Sequence, residues 1–376
     1  MRSSSSLFIG LMSGTSLDGV DGVVADFSTA PRVLGHASRR FAPALRQELL
    51  ALNRSGADEL HRAALAAHAL VAVYAEVVSE LLLQAQRLGL GPSDITAIGA
   101  HGQTVRHQPP SRGVPGYTLQ LNNPALLAEL CGIDVVADFR NADLAAGGQG
   151  APLVPGFHAA LWGRSDADIA VLNIGGISNL TLLPAQGLVR GWDCGPGNAL
   201  LDQWCELHTG RPYDDKGAWA ASGRADAALL ERFLDEPFFS LPPPRSTGRD
   251  LFNAQWLQKR LDGLPPGLSP VDVQATLTHL TAEVCARDVA QHLPSATELL
   301  VCGGGALNAE LMRNLQCRLP GVRVLSSEER GLPALQVEAA AFAWLACCWF
   351  KREAGNRVEV TGAKGPRVLG ALYPAR

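Results

Sequence analysis

Phe8-Ile9-Gly10-Leu11-Met12-Ser13-Gly14-Thr15-Ser16-Leu17-Asp18-Gly19-Val20-Asp21-Gly22-Val23-Val24 decides how the rest of the chain is read. It reads as a strand, a turn of small polar residues and a second strand. The turn offers backbone N–H groups, hydroxyls and a carboxylate. Its glycines let the backbone approach a ligand, because no Cβ intervenes. Such a concavity suits a phosphate, and a nearby Asp suits the Mg²⁺ that travels with it. The same residues also build an ordinary hairpin turn. Taken alone, the stretch is compatible with both.

The device recurs. Ile169 to Ile174 is a strand, Gly175-Gly176-Ile177-Ser178-Asn179 a turn, and Leu180 to Leu183 a strand again. A third glycine element follows the apolar strand Glu298 to Cys302: Gly303-Gly304-Gly305, then a helix from Ala306 to Leu319. Strand, glycine turn and helix is a way to hold a nucleotide against a helix start. Neither the GxxxxGK[ST] nor the G-x-G-x-x-G spacing is present, so P-loop and Rossmann readings have no support.

Between these elements, apolar residues from Leu60 to Leu82 recur at three- and four-residue steps and predict one helix over about Asp58 to Leu88. Gly89-Leu90-Gly91-Pro92 stops it. A strand, Ile95 to Gly99, delivers His101-Gly102-Gln103-Thr104, and another, Ile133 to Ala137, delivers Asp138-Phe139-Arg140-Asn141-Ala142-Asp143. Residues just beyond strand ends often contact ligands in open α/β sheets. Gly147 to Pro152 breaks regular structure, as a domain boundary or a working loop would. Val337 to Phe350 reads as an Ala-rich helix and Val368 to Tyr373 as a short strand.

A chain of 376 residues favours two domains. Lys+Arg is 32 and Asp+Glu is 36, a net charge of −4 with no run of one sign. That argues against nucleic acid or an anionic membrane as partner. Eight cysteines form no CxxC pair, which removes local support for zinc or redox chemistry and fits a reducing cytoplasm. The N-terminus is too polar for a signal peptide. The longest apolar run, Ala339 to Phe350, falls short of the roughly 20 residues that cross a bilayer.

The order of these elements resembles the sugar kinase/Hsp70/actin superfamily. Within it the wording is most similar to the anhydro-N-acetylmuramic acid kinases. The phrases that carry the likeness are Met12 to Gly19, His101 to Thr104, Asp138-Phe139-Arg140 with Gly147 to Pro152, Asn173 to Gly176, and Asp193-Cys194-Gly195-Pro196-Gly197-Asn198. Ser246-Thr247-Gly248-Arg249, Gly303 to Gly305 with Asn308, and Glu338-Ala339 complete them. The resemblance implies an α/β fold of two ribonuclease-H-like domains flanking an ATP cleft that closes on substrates. One lobe would span 1–138 with about 347–376, and the other 139–346. It implies ATP-dependent cleavage and 6-O-phosphorylation of 1,6-anhydro-N-acetylmuramic acid in murein recycling, in a cytoplasmic homodimer. Kinases of another anhydro sugar, such as levoglucosan, and an actin- or Hsp70-like binding module are the alternatives.

The resemblance also distributes roles. Asp193 is the candidate base that activates water at the anomeric carbon; on the residues alone it could equally be a turn or helix N-cap Asp. ATP would lie along Ser13, Gly14, Thr15, Ser16, Leu17, Asp18, Gly19, Val20 and Asp21, with Asp18 acting through Mg²⁺ or its waters. Gly175 and Gly176 would hold phosphate from the second domain, and Gly303, Gly304, Gly305 and Asn308 would lie on the adenosine side. His101, Gln103, Arg140 and Glu329 would face the sugar, Arg140 pairing with its lactyl carboxylate. Two positions depart from the family pattern: Cys194 where a Thr is expected, and Asn122 where a Gly is expected.

Overall fold

The computed structural model describes residues 6–14, 17–110, 114–263 and 267–375. Thr15 and Ser16 lie outside the described residues. Among the described residues the strands run β1 (Leu7–Met12), β2 (Gly19–Asp26), β3 (Arg32–Arg40), β4 (Ile95–Ala100), β5 (Gln103–Gln108), β6 (Tyr117–Leu121) and β7 (Val135–Ala137). They continue with β8 (Ile169–Ile174), β9 (Ile177–Leu183), β10 (Arg190–Pro196), β11 (Glu298–Cys302), β12 (Arg323–Ser326) and β13 (Ala371–Tyr373). The chain divides into two units, Met1–Leu161 with Gln336–Arg376, and Trp162–Leu335.

The first unit is built on a sheet of order β13-β7-β4-β1-β2-β3. β1 pairs antiparallel with β2 and parallel with β4; β2 pairs antiparallel with β3 and β4 parallel with β7. One face carries the 29-residue helix Glu59–Arg87, whose stripe Leu70, Val71, Tyr74, Val77, Val78 and Leu81 is fully buried. This is the one described helix long and apolar enough to cross a membrane. Its apolar stripe is used inside the unit, while Glu80 pairs with Arg39 of β3. The other face receives helix Val337–Lys351 at backbone distance. A Cβ on Gly10 would stand 1.9 Å from the Ala339 carbonyl, and one on Gly99 2.1 Å from that of Phe342. The Ala-rich character of that helix and the glycines of β1 and β4 are thus one feature.

The second unit has a sheet of order β10-β9-β8-β11-β12. β8 pairs antiparallel with β9 and parallel with β11, β9 antiparallel with β10, and β11 parallel with β12. This is the arrangement of β3-β2-β1-β4-β7 repeated, strand for strand. Each unit is ribonuclease-H-like, as expected. Helix Pro270–His292 is buried against it, anchored at Ser269, whose hydroxyl caps Asp272 N.

The expected lobe boundaries at 138/139 and 346/347 fall instead at 161/162 and 335/336. Residues after β7 stay with the first unit because buried Asp143 accepts hydrogen bonds from Asn356 Nδ2 and Thr361 Oγ1, both at 2.7 Å. Gly147–Pro152 is therefore an internal loop, held by Gln149 N to Thr361 O (2.8 Å) and Gly150 N to Asp143 Oδ2 (2.8 Å). The Ala-rich helix belongs wholly to the first unit, through Gly10 and Gly99.

Candidate active site

In the first unit the β1–β2 turn is tied down from beside it. Buried Ser13 Oγ donates to Gln103 Oε1, and Gln103 Nε2 donates to Gly14 O (3.2 Å). Leu17 N closes back on Gly14 O (3.2 Å), with Leu17 itself buried and at φ 57°. Gly19 and Val20 already belong to β2. Val20 is core, and a Cβ on Gly19 would meet Arg39 O at 2.2 Å, so both have packing reasons of their own. Asp18 is exposed at the turn, and Asp21 on β2 faces His36 (3.4 Å).

Next to Gln103, His101 is buried at the end of β4 and packs tilted against Phe342, with ring centroids 4.6 Å apart. Its Nε2 receives Arg140 Nε (3.1 Å) and Arg140 Nη2 (2.9 Å), so its proton rests on Nδ1. Burial, then the charge of Arg140, hold this imidazole well below the usual histidine range, against the pull of the Gly102 and Ser13 backbone. It is neutral at working pH. Arg140 Nη1 donates to Gly150 O (2.9 Å), and burial brings the guanidinium down to about 10, opposed by Glu338 and Asp143. Gln103, expected on the sugar side with His101 and Arg140, thus braces the Ser13–Gly14 turn that was expected to hold phosphate, while Arg140 is bonded to His101.

Glu338 stands only among the phrases of the resemblance and was given no role. It is the one acid in the otherwise apolar helix Val337–Lys351, which was a legible signal. Burial, then the charge of Asp21, raise its carboxyl pKa; Arg140 draws it down and Asp18 raises it further. No group of three or more Asp, Glu, His or Cys among the described residues could hold a metal ion.

In the second unit the β8–β9 turn is held from behind. Its carbonyls take the first amides of helix Asn198–Thr209: Asn198 N to Gly175 O (2.8 Å) and Ala199 N to Gly176 O (3.2 Å). Asn198 Nδ2 also donates to Ile174 O (3.1 Å). A Cβ on Gly175 would meet nothing closer than 3.7 Å, and one on Gly176 would meet the Arg249 guanidinium at 3.4 Å.

Asp193 lies inside strand β10, where a rigid turn was expected, and it does not cap a helix. A register shift between Asp193 and Gly195 breaks the ladder just there. Its Oδ2 accepts from Ser246 Oγ and Thr247 N, both at 3.0 Å. No described residue hydrogen-bonds Oδ1. Burial raises the carboxyl pKa, while Thr247 N, Ser246 Oγ and the charge of Arg245 lower it, leaving it above the ordinary range. Cys194 is buried, and its thiol is pushed well up by burial and by Cys285 and Asp288.

Two expected sets acquire structural jobs. A Cβ on Gly303 would stand 2.4 Å from Asn173 Oδ1, and one on Gly305 2.4 Å from Ile174 Cβ; these glycines let β11 exit beside β8. Gly304 has the most room of the three, with Asn198 Nδ2 at 3.3 Å as the nearest atom a Cβ would meet. The helix expected from Ala306 begins at Ala309, after a 3₁₀ turn Gly304–Leu307, and Asn308 is its N-cap, accepting from Leu311 N (3.0 Å). Glu329 belongs to the second unit, and its carboxylate accepts from Ser326 N (3.0 Å) in a capping box.

A repeated ribonuclease-H-like unit with a glycine turn after each central strand defines a class, the sugar kinase/Hsp70/actin superfamily. The family model for anhydro-N-acetylmuramic acid kinase matches residues 6–375, and the chain belongs to that family. It is 59% identical over 375 residues to the anhydro-N-acetylmuramic acid kinase of Variovorax paradoxus (strain S110), covering 98% of this chain and 99% of that protein. To that of Cupriavidus pinatubonensis (strain JMP 134 / LMG 1197) it is 57% identical over 377 residues, covering 100% of both. Solved structures resemble it more loosely. The (R)-2-hydroxyglutaryl-CoA dehydratase component A of Acidaminococcus fermentans is 13% identical, with a TM-score of 0.47 over 90% of this chain and 96% of that one.

Proposed function

We propose that this protein uses ATP and water to convert 1,6-anhydro-N-acetylmuramic acid to N-acetylmuramic acid 6-phosphate, a step of murein recycling. Water attacks the anomeric carbon and gives its proton to a carboxylate; the bond from that carbon to O6 breaks. In ordinary glycoside hydrolysis a second acid protonates the departing oxygen. Here O6 is captured by the γ-phosphorus as ADP leaves, so one base suffices. The observation that carries the reading is Asp193: one carboxylate oxygen is pinned by Ser246 and Thr247, the other is free for water. A raised pKa makes it a better base than an ordinary Asp.

The turn Ser13–Gly14 with Leu17 and Asp18, and the turn Gly175–Gly176, supply donors for phosphate oxygens. Gly304 and the exit of β11 serve the adenosine end. Mg²⁺ would be held by Asp18, directly or through water, and the negative charge of Asp21 and Asp18 that raises the Glu338 carboxyl is charge a cation there would offset. When bound, that ion neutralises charge on the transferring phosphoryl group. The N–H groups of Arg140 not taken by His101 and Gly150 are offered to the lactyl carboxylate. The protein acts in the cytoplasm and as a homodimer.

A coupled ADP-release assay tests the reading across anhydro-N-acetylmuramic acid and levoglucosan. ADP release should depend strictly on an anhydro sugar, and Asp193→Asn should abolish it while ATP still binds. Arg140→Ala should raise KM for the muramic substrate and change levoglucosan little. Normal turnover in Asp193→Asn removes that residue from the reaction.

A further inference from the structure

Asp193 is held at its carboxylate by Ser246 and Thr247, but what holds Ser246 and Thr247 is one residue earlier. Arg245 forms a two-bond clasp with the backbone of Asp193: Asp193 N donates to Arg245 O (3.0 Å), and Arg245 Nε donates to Asp193 O (3.2 Å). The rest of the guanidinium is fully engaged. Nη1 donates to Leu241 O (2.8 Å), and Nη2 reaches both oxygens of Asp288, at 2.8 and 2.6 Å. Asp288 Oδ2 also accepts from Trp192 Nε1 (2.9 Å), the neighbour of Asp193 on β10. The side chains of Arg245 and Asp288 are each only 6% exposed.

We infer that Arg245 and Asp288 are positioning residues for the base: a buried ion pair that fixes the register of the loop carrying Ser246 and Thr247 against β10. The inference rests on Asp193 being the base. A buried pair of this kind does not owe its place to stability, since two apolar residues of similar volume usually serve as well or better. What apolar residues cannot do is tie a strand backbone, its neighbouring indole and a loop together by directional bonds. Here one guanidinium and one carboxylate on helix Pro270–His292 do so. A carboxylate displaced by a fraction of an ångström from its water loses rate, not nucleotide affinity.

The groups that face this cluster are few. Arg245 acts on Asp193 from the loop. Asp288 faces Arg245 from the helix, with Cys285 and Cys194 beside it. His292 and Arg190 face Asp288 from its far side. Arg245 stabilises ionised Asp193, and Asp288 offsets part of that charge. The two deletions therefore move the base in opposite directions.

The test uses the full-length enzyme with ATP and the anhydro sugar. Asp288→Asn should lower kcat about tenfold with KM for ATP within about twofold, and should move the acidic limb of the pH–kcat/KM profile to lower pH. Arg245→Met should lower kcat at least as much and move that limb to higher pH. The double variant Arg245→Met/Asp288→Leu keeps the core apolar and guards against simple unfolding. It should melt within a few degrees of the parent, bind ATP normally by calorimetry and remain slow. A folded double variant with parental kcat overturns the inference, as do single variants whose losses lie in KM for ATP or whose acidic limbs stay in place. Turnover by Asp193→Asn would instead sink the base assignment itself, so the two failures are separable.

Discussion

The two hairpin turns occupy the same place in the same topology, yet they are secured differently. The β1–β2 turn is braced sideways, by Gln103 gripping Ser13 Oγ and Gly14 O from the start of β5. The β8–β9 turn is braced from behind, by the first amides of helix Asn198–Thr209. The sheets differ in the same sense. β1 meets its helix at backbone distance through Gly10, whereas β8 carries no glycine and is buried along its whole length. One fold thus accepts two solutions to a shared requirement, donors aimed outward from a fixed loop. The unit with the glycine-packed sheet is the less forgiving of the two.

That contrast can be broken outright. Gly10→Ala places a methyl carbon where the Ala339 carbonyl stands, and neither backbone can yield. It should cost about 3 kcal/mol or more and leave little folded protein, measured by urea denaturation. Survival of Gly10→Ala at parental stability would show that the helix is not packed as described. Less severe is Gln103→Ala, which releases Ser13 and Gly14 together; KM for ATP should rise about tenfold with the melting temperature only slightly lowered. Gly175→Ala has room for its methyl, so stability should be unchanged and ATP affinity fall about threefold by calorimetry. An equal stability loss in Gly175→Ala and Gly10→Ala would erase the distinction between the turns.

The smallest effect concerns Asp193. Its folded-state pKa lies above the ordinary value of 3.8, chiefly because of burial. A group raised in this way stabilises the fold fully below its unfolded pKa, and that contribution is lost as pH rises through the folded pKa. At neutral pH the ionised carboxylate is therefore a burden. Asp193→Asn should raise the melting temperature by about one or two degrees at pH 7 and lose that advantage below pH 4, read by scanning calorimetry.

Much of this was legible beforehand. Strand–turn–strand at Phe8–Val24 and Ile169–Leu183, and the helix ending at Gly89, follow from periodicity and punctuation, and the structure places them within a few residues. His101 and Arg140, singled out because each follows a strand, are hydrogen-bonded to each other, whereas the tie from Gln103 to Ser13 had no local signal. What local pattern did not show shares a cause. On the residues alone Asp193 could equally be a turn or N-cap Asp, but pairing with β9 and the clasp by Arg245 hold it in a strand. Gly303 and Gly305 looked like a nucleotide cradle, and two of the three glycines answer to Asn173 and Ile174 instead. Glu329, expected to face the sugar, also caps a local turn through Ser326 N.

The amino-acid sequence by itself determined the elements, their order, the doubled turn and the family, because these depend on local pattern and on phrases retained across nearly the whole chain. Only the tertiary structure decided which polar groups are already spent. Partners such as Gln103 for Ser13, Asp143 for Gly150, and Asp288 for Arg245 lie 7 to 90 residues apart along the chain. No local rule pairs residues so far apart. Burial makes the pairing obligatory, since an unpaired polar group in the interior costs more than its hydrogen bond returns.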